Sequence, residues 1–163
     1  MLVMNGTHYY VDCWLMSKTN STFIEQPPSM SESAKILLCV EDDEDDCSWI
    51  REAAAEIDPD LHFVNKTNGR EALQYLNQLL NEGIRPHLIF LDINMPVMNG
   101  KETLAAIKAD PHLREIPIVV FSTSASPRDR LFCEFYHVTL LTKPAQVHEY
   151  KRLVQQQVIA VNP

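Results

Sequence analysis

Four apolar runs in this chain end in groups that could share one chemistry. Leu88-Ile-Phe-Leu-Asp92 stops at a single carboxylate and opens into Ile93-Asn-Met-Pro-Val-Met-Asn-Gly100, a Pro-containing loop closed by glycine. Ala34-Lys-Ile-Leu-Leu-Cys-Val-Glu-Asp-Asp43 ends in Glu41, Asp42 and Asp43; Ile116-Pro-Ile-Val-Val-Phe-Ser-Thr-Ser124 ends in hydroxyls; Val138-Thr-Leu-Leu-Thr-Lys-Pro144 ends in a cation. Carboxylates, a hydroxyl and an ammonium gathered at one edge make a site for a divalent metal and a phosphoryl group, with an aspartate as nucleophile. Two like charges about 4 Å apart repel by about 4 kcal/mol at an effective dielectric of about 20, so such carboxylates need a counterion before they can accept a phosphoryl group.

For these groups to meet, the runs must be parallel strands whose carboxyl ends share one edge, the place where open α/β sheets bind ligands. From Lys35 onward a short apolar run alternates five times with an amphipathic segment, the pattern of βαβ units. Strands are expected near 36–40, 61–64, 88–91, 117–121 and 138–141. Helices are expected over Glu44 to Ile57, Gly69 to Asn81, Lys101 to Lys108, Pro127 to Tyr136 and Gln146 to Ile159, with Pro59, Gly83-Ile-Arg-Pro86, Pro111 and Pro117 as breakers. Right-handed crossovers then give a flavodoxin-like (βα)5 fold, a doubly wound parallel sheet of strand order 2-1-3-4-5. Its switch point lies between the first and third strands, which carry Glu41, Asp42 and Asp92.

The 163 residues, 45% apolar and 22% charged, suffice for one domain with a full core and a tail. A formal charge of −8 with no basic stripe disfavours direct nucleic-acid binding. The cysteines, Cys13, Cys39, Cys47 and Cys133, lack zinc-site spacing, and a domain of this size needs no disulfide staples, which points to a reducing cytoplasm. Cys39 reads as a small hydrophobe within a strand, and Cys47 and Cys133 fall on helices. No apolar run approaches the roughly 18 residues of a membrane span. Met1 to Met16 is interrupted by Asn5, Gly6, His8 and Asp12 and lacks the basic start of a secretory signal. Ser17 to Ser33, with Pro27-Pro28, reads as disorder or linker, and Met30 offers an alternative translation start. The expected division is therefore a disordered or spurious leader over 1–33 and one domain over 34–161. The last helix ends close to Pro163, so no output domain is expected after it.

The acidic pair Glu41 and Asp42, Asp92 within Leu91-Asp-Ile-Asn-Met-Pro-Val-Met-Asn-Gly100, Ser122, and Lys143-Pro144 stand in one order and spacing over about four-fifths of the chain. This set resembles the receiver domain of two-component response regulators. The resemblance implies that Asp92 attacks a phosphohistidine on a sensor histidine kinase or histidine phosphotransfer protein and becomes an acyl phosphate. It implies Mg²⁺ held by Asp42, by Glu41 through water, by Asp92 and by the backbone carbonyl of Asn94. It implies that Lys143 pairs with the phosphoryl group, and that Ser122 donates a hydrogen bond to it and swings inward. In the family the Lys-Pro bond is often cis; either isomer fits this sequence. Asn94 and Ser124 fall where the family tunes access of hydrolytic water.

A stand-alone cytoplasmic regulator of this kind catalyses its own phosphorylation and dephosphorylation without being a turnover enzyme. It signals through phosphorylation-dependent contacts with a protein target or through phosphorelay, with no membrane attachment. A homodimer through the fourth and fifth helices or strands is a habit of the family. Asp43, Asp45 and Asp46 read as a solvated helix start favoured by the macrodipole. Two departures stand out: Leu140 occupies the place of the family's switching aromatic, and Tyr136-His-Val replaces a small-residue turn. Phe135 and Tyr136 read as core and boundary packing. None of the histidines has metal-ligand spacing. Two other readings compete. A haloacid dehalogenase-type phosphotransferase normally has a second Asp two residues beyond the nucleophile, where this chain has Asn94. A phosphorylation-independent binding module would not need every one of the side chains present here.

Overall fold

Strands covered on both faces require apolar residues at every position, and the central runs of this chain supply them. The computed structural model describes residues 35–123 and 126–161; the leader over 1–33 and Ser124 lie outside the described residues. In chain order the elements are β1 (Ile36–Val40), α1 (Glu44–Ile57), β2 (His62–Lys66), α2 (Gly69–Asn81), β3 (Leu88–Leu91), α3 (Gly100–Ala109), β4 (Ile118–Ser122), α4 (Pro127–Phe135), β5 (Thr139–Thr142) and α5 (Val147–Val161). The five strands form one parallel sheet in the order β2-β1-β3-β4-β5. β1, β3 and β4 are buried throughout, whereas β2 and β5, at the edges, have only exposed and half-buried residues.

Alternate residues of the central strands feed two cores. Leu37, Cys39, Phe90 and Phe121 pack under α1 and α5, against Ile50, Tyr150 and Val154. Leu38, Val40, Leu91 and Val120 pack on the other face, under α2 and α3, against Leu76, Leu79, Leu104 and Ile107. Each such aliphatic side chain contributes about 1.5–3 kcal/mol on burial. Register aligns the carboxyl ends: Val40 pairs with Leu91, and Ser122 with Thr142.

The elements β1, α1 and α2 have the expected ends; β2 runs His62–Lys66 rather than 61–64, α3 runs Gly100–Ala109 rather than Lys101–Lys108 because Asn99 caps it, and the later boundaries differ for identifiable reasons. Pro117 has no N–H to give the sheet, so β4 begins at Ile118. Val138 is retained by α4, its N–H donating to the Cys133 carbonyl at 3.0 Å, so β5 begins at Thr139. Gln146 starts the α5 ladder through its carbonyl, accepting from Tyr150 N–H at 3.0 Å, without joining the helix. No peptide bond among the described residues is cis, and Lys143-Pro144 is trans.

The turn that replaces a small-residue connection closes α4 with two bonds, His137 N–H to the Glu134 carbonyl at 3.1 Å and Val138 N–H to the Cys133 carbonyl. This pattern places the residue after the cap in the left-handed region, and His137 has φ 54°. Histidine takes that conformation at a cost glycine does not incur. His137→Gly is expected to raise the urea midpoint by an amount equivalent to about 0.5–1 kcal/mol, with no effect on chemistry at the opposite end of the sheet.

Candidate functional site

The ladder of β1 and β3 continues one residue past each strand and fixes two carboxylates side by side. Glu41 N–H donates to the Lys66 carbonyl at 2.9 Å, and Asp92 N–H to the Val40 carbonyl at 3.0 Å. Glu41 and Asp92 are buried, and Asp42 is exposed. Each of the three places a carboxylate oxygen within 4.8 Å of the others. From the end of β5 the Lys143 ammonium reaches Glu41 Oε2 at 2.6 Å, Asp46 Oδ2 at 2.8 Å and Asp92 Oδ1 at 2.9 Å. An ammonium has three protons to donate, so these acceptors occupy all of them. The Lys143 side chain is only 6% exposed.

Three carboxylates thus surround one ammonium, and a fourth, the exposed Asp42, lies beside two of them. Burial pushes Glu41 up to about 7 against the pull of the Lys143 hydrogen bond and charge, and the neighbouring Asp92 pushes the same way. Burial also works to lower Lys143, but Asp46, Glu41 and Asp92 more than offset it and hold the ammonium above the ordinary lysine range. The lysine therefore stays charged, and the shortage of positive charge falls on Glu41. A cluster of carboxylate oxygens short of one cation suits a hard divalent ion.

Asp46 corrects the sequence reading. Asp43 does cap α1, its side chain accepting from the N–H groups of Asp45 and Asp46 at 2.9 and 3.1 Å. Asp46, however, turns inward to Lys143. The signal was present: Asp46 precedes the buried Ile50 and Ala53 by four and seven residues, the spacing of one helix face.

The loop after Asp92 is shut tightly against it. Asn94 N–H donates to Asp92 Oδ2, closing a short turn around the carboxylate. Gly100 N–H donates to the Ile93 carbonyl at 2.9 Å, and a Cβ on Gly100 would lie 2.0 Å from the Asp92 carbonyl oxygen. Between them Val97, 70% exposed, sits at φ 66° in a three-residue turn closed by Met98 N–H and the Pro96 carbonyl. A β-branched residue is strained there. Ser122 is fully buried, and its carbonyl accepts Lys143 N–H at 2.8 Å, which links the ends of β4 and β5. Sequence-predicted Glu41, Asp42, Asp92, Asn94, Ser122 and Lys143 therefore all lie at one edge.

Residues 37–155 match the family model of the response regulator receiver domain. The chain belongs to that family. It is 34% identical over 128 residues to response regulator Rcp1 of Synechocystis sp., covering 77% of this chain and 87% of that protein. The crystal structure of a phosphorylated cyanobacterial phytochrome response regulator, RcpA, superposes with a TM-score of 0.71 at 37% identity, over 77% of this chain and 91% of the other. The Mn²⁺-bound form of Rcp1 superposes with a TM-score of 0.68 at 34% identity, over 75% and 90%.

Leu140 is half-buried against the core, as is Tyr136. Phe135 departs from the packing expected of it and is 74% exposed, one turn from Leu131 at 66%. Successive helical residues point about 100° apart, so Tyr136 and Phe135 cannot both face the sheet. Among the described residues no helix is long and apolar enough to cross a membrane.

Proposed function

We propose that Asp92 accepts a phosphoryl group from the phosphohistidine of a sensor histidine kinase or histidine phosphotransfer protein, within a receiver unit spanning residues 34–161. The observation that carries this reading is the Lys143 ammonium spanning Glu41, Asp46 and Asp92 beside the cluster of Glu41, Asp42 and Asp92. An Asp92 oxygen attacks phosphorus, the P–N bond to imidazole breaks, and an acyl phosphate remains. Up to two negative charges arrive. Lys143 turns from the carboxylates to a phosphoryl oxygen, and the Ser122 hydroxyl donates to another. Asp42 and Asp92, the Asn94 carbonyl, and Glu41 through water would hold Mg²⁺, which supplies the missing positive charge to both reactant and product. Relatives solved phosphorylated and with Mn²⁺ bound support both parts of this reading.

Intact mass after incubation with acetyl phosphate or phosphoramidate, with and without Mg²⁺ and beside Asp92→Ala, tests it. One Mg²⁺-dependent, base-labile adduct absent from the variant is expected. A folded protein that takes no adduct is a phosphorylation-independent binding module; steady turnover of a phosphate ester would identify a phosphotransferase. Because Mg²⁺ competes with the proton on Glu41, its affinity should be roughly tenfold weaker at pH 6 than at pH 8 by calorimetric titration.

The phosphorylated surface signals to a protein target or to the next histidine carrier in the cytoplasm. Homodimerisation through α4 and β5 belongs to this reading, because Leu131 and Phe135 form an apolar stripe on α4. Sedimentation velocity on Phe135→Glu should show monomer where the parent chain shows dimer. A parent chain that sediments as monomer both with and without the phosphoryl group removes the dimer.

A further inference from the structure

Behind the acidic loop the fold brings two thiols together that the sequence shows only as separate core residues. Cys39 on β1 and Cys47 on α1 are both buried, with their sulfurs 3.9 Å apart. The chain between them contains Glu41, Asp42 and Asp46. Cys47 also donates its S–H to the Glu41 carbonyl at 3.6 Å. Nearby, the buried Tyr150 hydroxyl has no hydrogen-bond partner among the described residues, and burial, with the charges of Asp46 and Glu41, holds it in the protonated form. The core is thus polar directly beneath the site.

We propose that Cys39 and Cys47 form a reversible disulfide when a hydroperoxide oxidises the protein, and that this bond slows phosphoryl acceptance at Asp92. Cys47 is the point of entry, because it lies on the first turns of α1, whose outer residues Glu44 and Asp45 are exposed; local opening of a helix end is the lowest-energy route to a buried group. The Cys47 sulfur attacks the peroxide, the O–O bond breaks, and Cys47 leaves as sulfenic acid with one water or alcohol released. The Cys39 sulfur then attacks the Cys47 sulfur. The S–O bond breaks, and the departing hydroxide takes the Cys39 proton as water. Two electrons pass from the thiols to the peroxide, and a dithiol reductant reverses the change by exchange.

The bond must alter the site. A disulfide is about 2.05 Å long, well short of the present separation. Cys39 is held in a strand paired on both sides, by β2 and β3, so the movement falls on the start of α1. That turn carries Asp46, a partner of Lys143, and Cys47 must also release the Glu41 carbonyl. A misplacement of about 1 Å in reacting groups can cost on the order of 100-fold in rate; a slowing of roughly tenfold or more is expected here. The effect on rate rests on the proposed role of Asp92, whereas the disulfide itself does not.

Trypsin releases Ile36–Arg51, which contains Cys39 and Cys47 and no other cysteine. After treatment of the full chain with hydrogen peroxide, this peptide should be lighter by two hydrogens and resist alkylation until dithiothreitol is added. The oxidised protein should form the phosphoramidate adduct at least roughly tenfold more slowly than the reduced protein, with recovery on reduction. Cys47→Ala, and separately Cys39→Ala, should react at the reduced rate before and after peroxide. A peptide that stays fully alkylatable, a sulfinic acid in place of the disulfide, or a disulfide that leaves both adduct rate and Mg²⁺ affinity unchanged overturns the proposal. If the reduced protein takes no phosphoryl group, the Asp92 reading fails. The peptide mass and the Mg²⁺ titration then still decide this proposal.

Discussion

Lys143→Met is expected to lose about 3–5 kcal/mol of stability at pH 8 in EDTA, to regain most of it at pH 5, and to accept no phosphoryl group. The substitution preserves the stem that packs at the end of β5 and removes only the charge. Glu41 and Asp92 then remain buried with no cation, and leaving one partner of a buried pair uncompensated costs about that much. The sign follows from Glu41. Its folded value, already up to about 7 from burial, loses the Lys143 hydrogen bond and charge that hold it down, and so rises further in the variant. A carboxylate that binds its proton more tightly when folded favours the fold at low pH, and that contribution disappears as pH climbs from the unfolded value through the folded one. In the parent chain the lysine ammonium is charged across this whole window and contributes throughout. Urea unfolding at the two pH values, with EDTA and with Mg²⁺, measures the effect. Restoration by Mg²⁺ at pH 8 is expected, and a loss that is equal at both pH values and indifferent to metal would assign Lys143 a packing role instead.

Gly100→Ala should cost about 2–3 kcal/mol and slow adduct formation at Asp92 by more than roughly tenfold. Alanine normally favours a helix over glycine, so the expected sign runs against propensity. The reason is contact: the added Cβ would meet the Asp92 carbonyl oxygen at 2.0 Å and the Ile93 Cα at 2.8 Å, both backbone atoms that cannot rotate away. Either α3 withdraws or the end of β3 moves, and the second displaces the nucleophile. Gly83→Ala is the control. It sits at φ +74° with no atom within 4 Å of an added Cβ, so it should lose stability through backbone strain while the adduct rate stays unchanged.

Much of this was legible in the chain itself. Continuous apolar runs bounded by proline and glycine reported β1, β3 and β4, because strands buried on both faces leave no polar alternation to misread. The polar group at each run's end reported the site, because parallel strands deliver their carboxyl ends to one edge. What escaped depended on rotation and proximity between elements. Asp46 resembled Asp43 and Asp45 until the turn of α1 decided which of them faces Lys143. Cys39 and Cys47 appeared unrelated because an eight-residue separation across a strand and a helix has no fixed distance in sequence. Phe135 and Tyr136 are equally apolar in sequence, yet the end of α4 turns Tyr136 toward the core and leaves Phe135 exposed.

The surroundings of Asp92 resemble a vise with one fixed jaw. On one side α2 is clamped to the β3–α3 loop: Gly69 N–H holds the Met98 carbonyl at 3.0 Å, and a Cβ on Gly69 would fall 1.8 Å from Thr103 Oγ1. Gly100 closes the same jaw from below. On the other side stands α4, which buries only Asp129 and Cys133 and is tied across to α3 by the Lys101–Asp129 ion pair. Of the two sides, the one built on α4 has the fewer buried side chains to hold it in place.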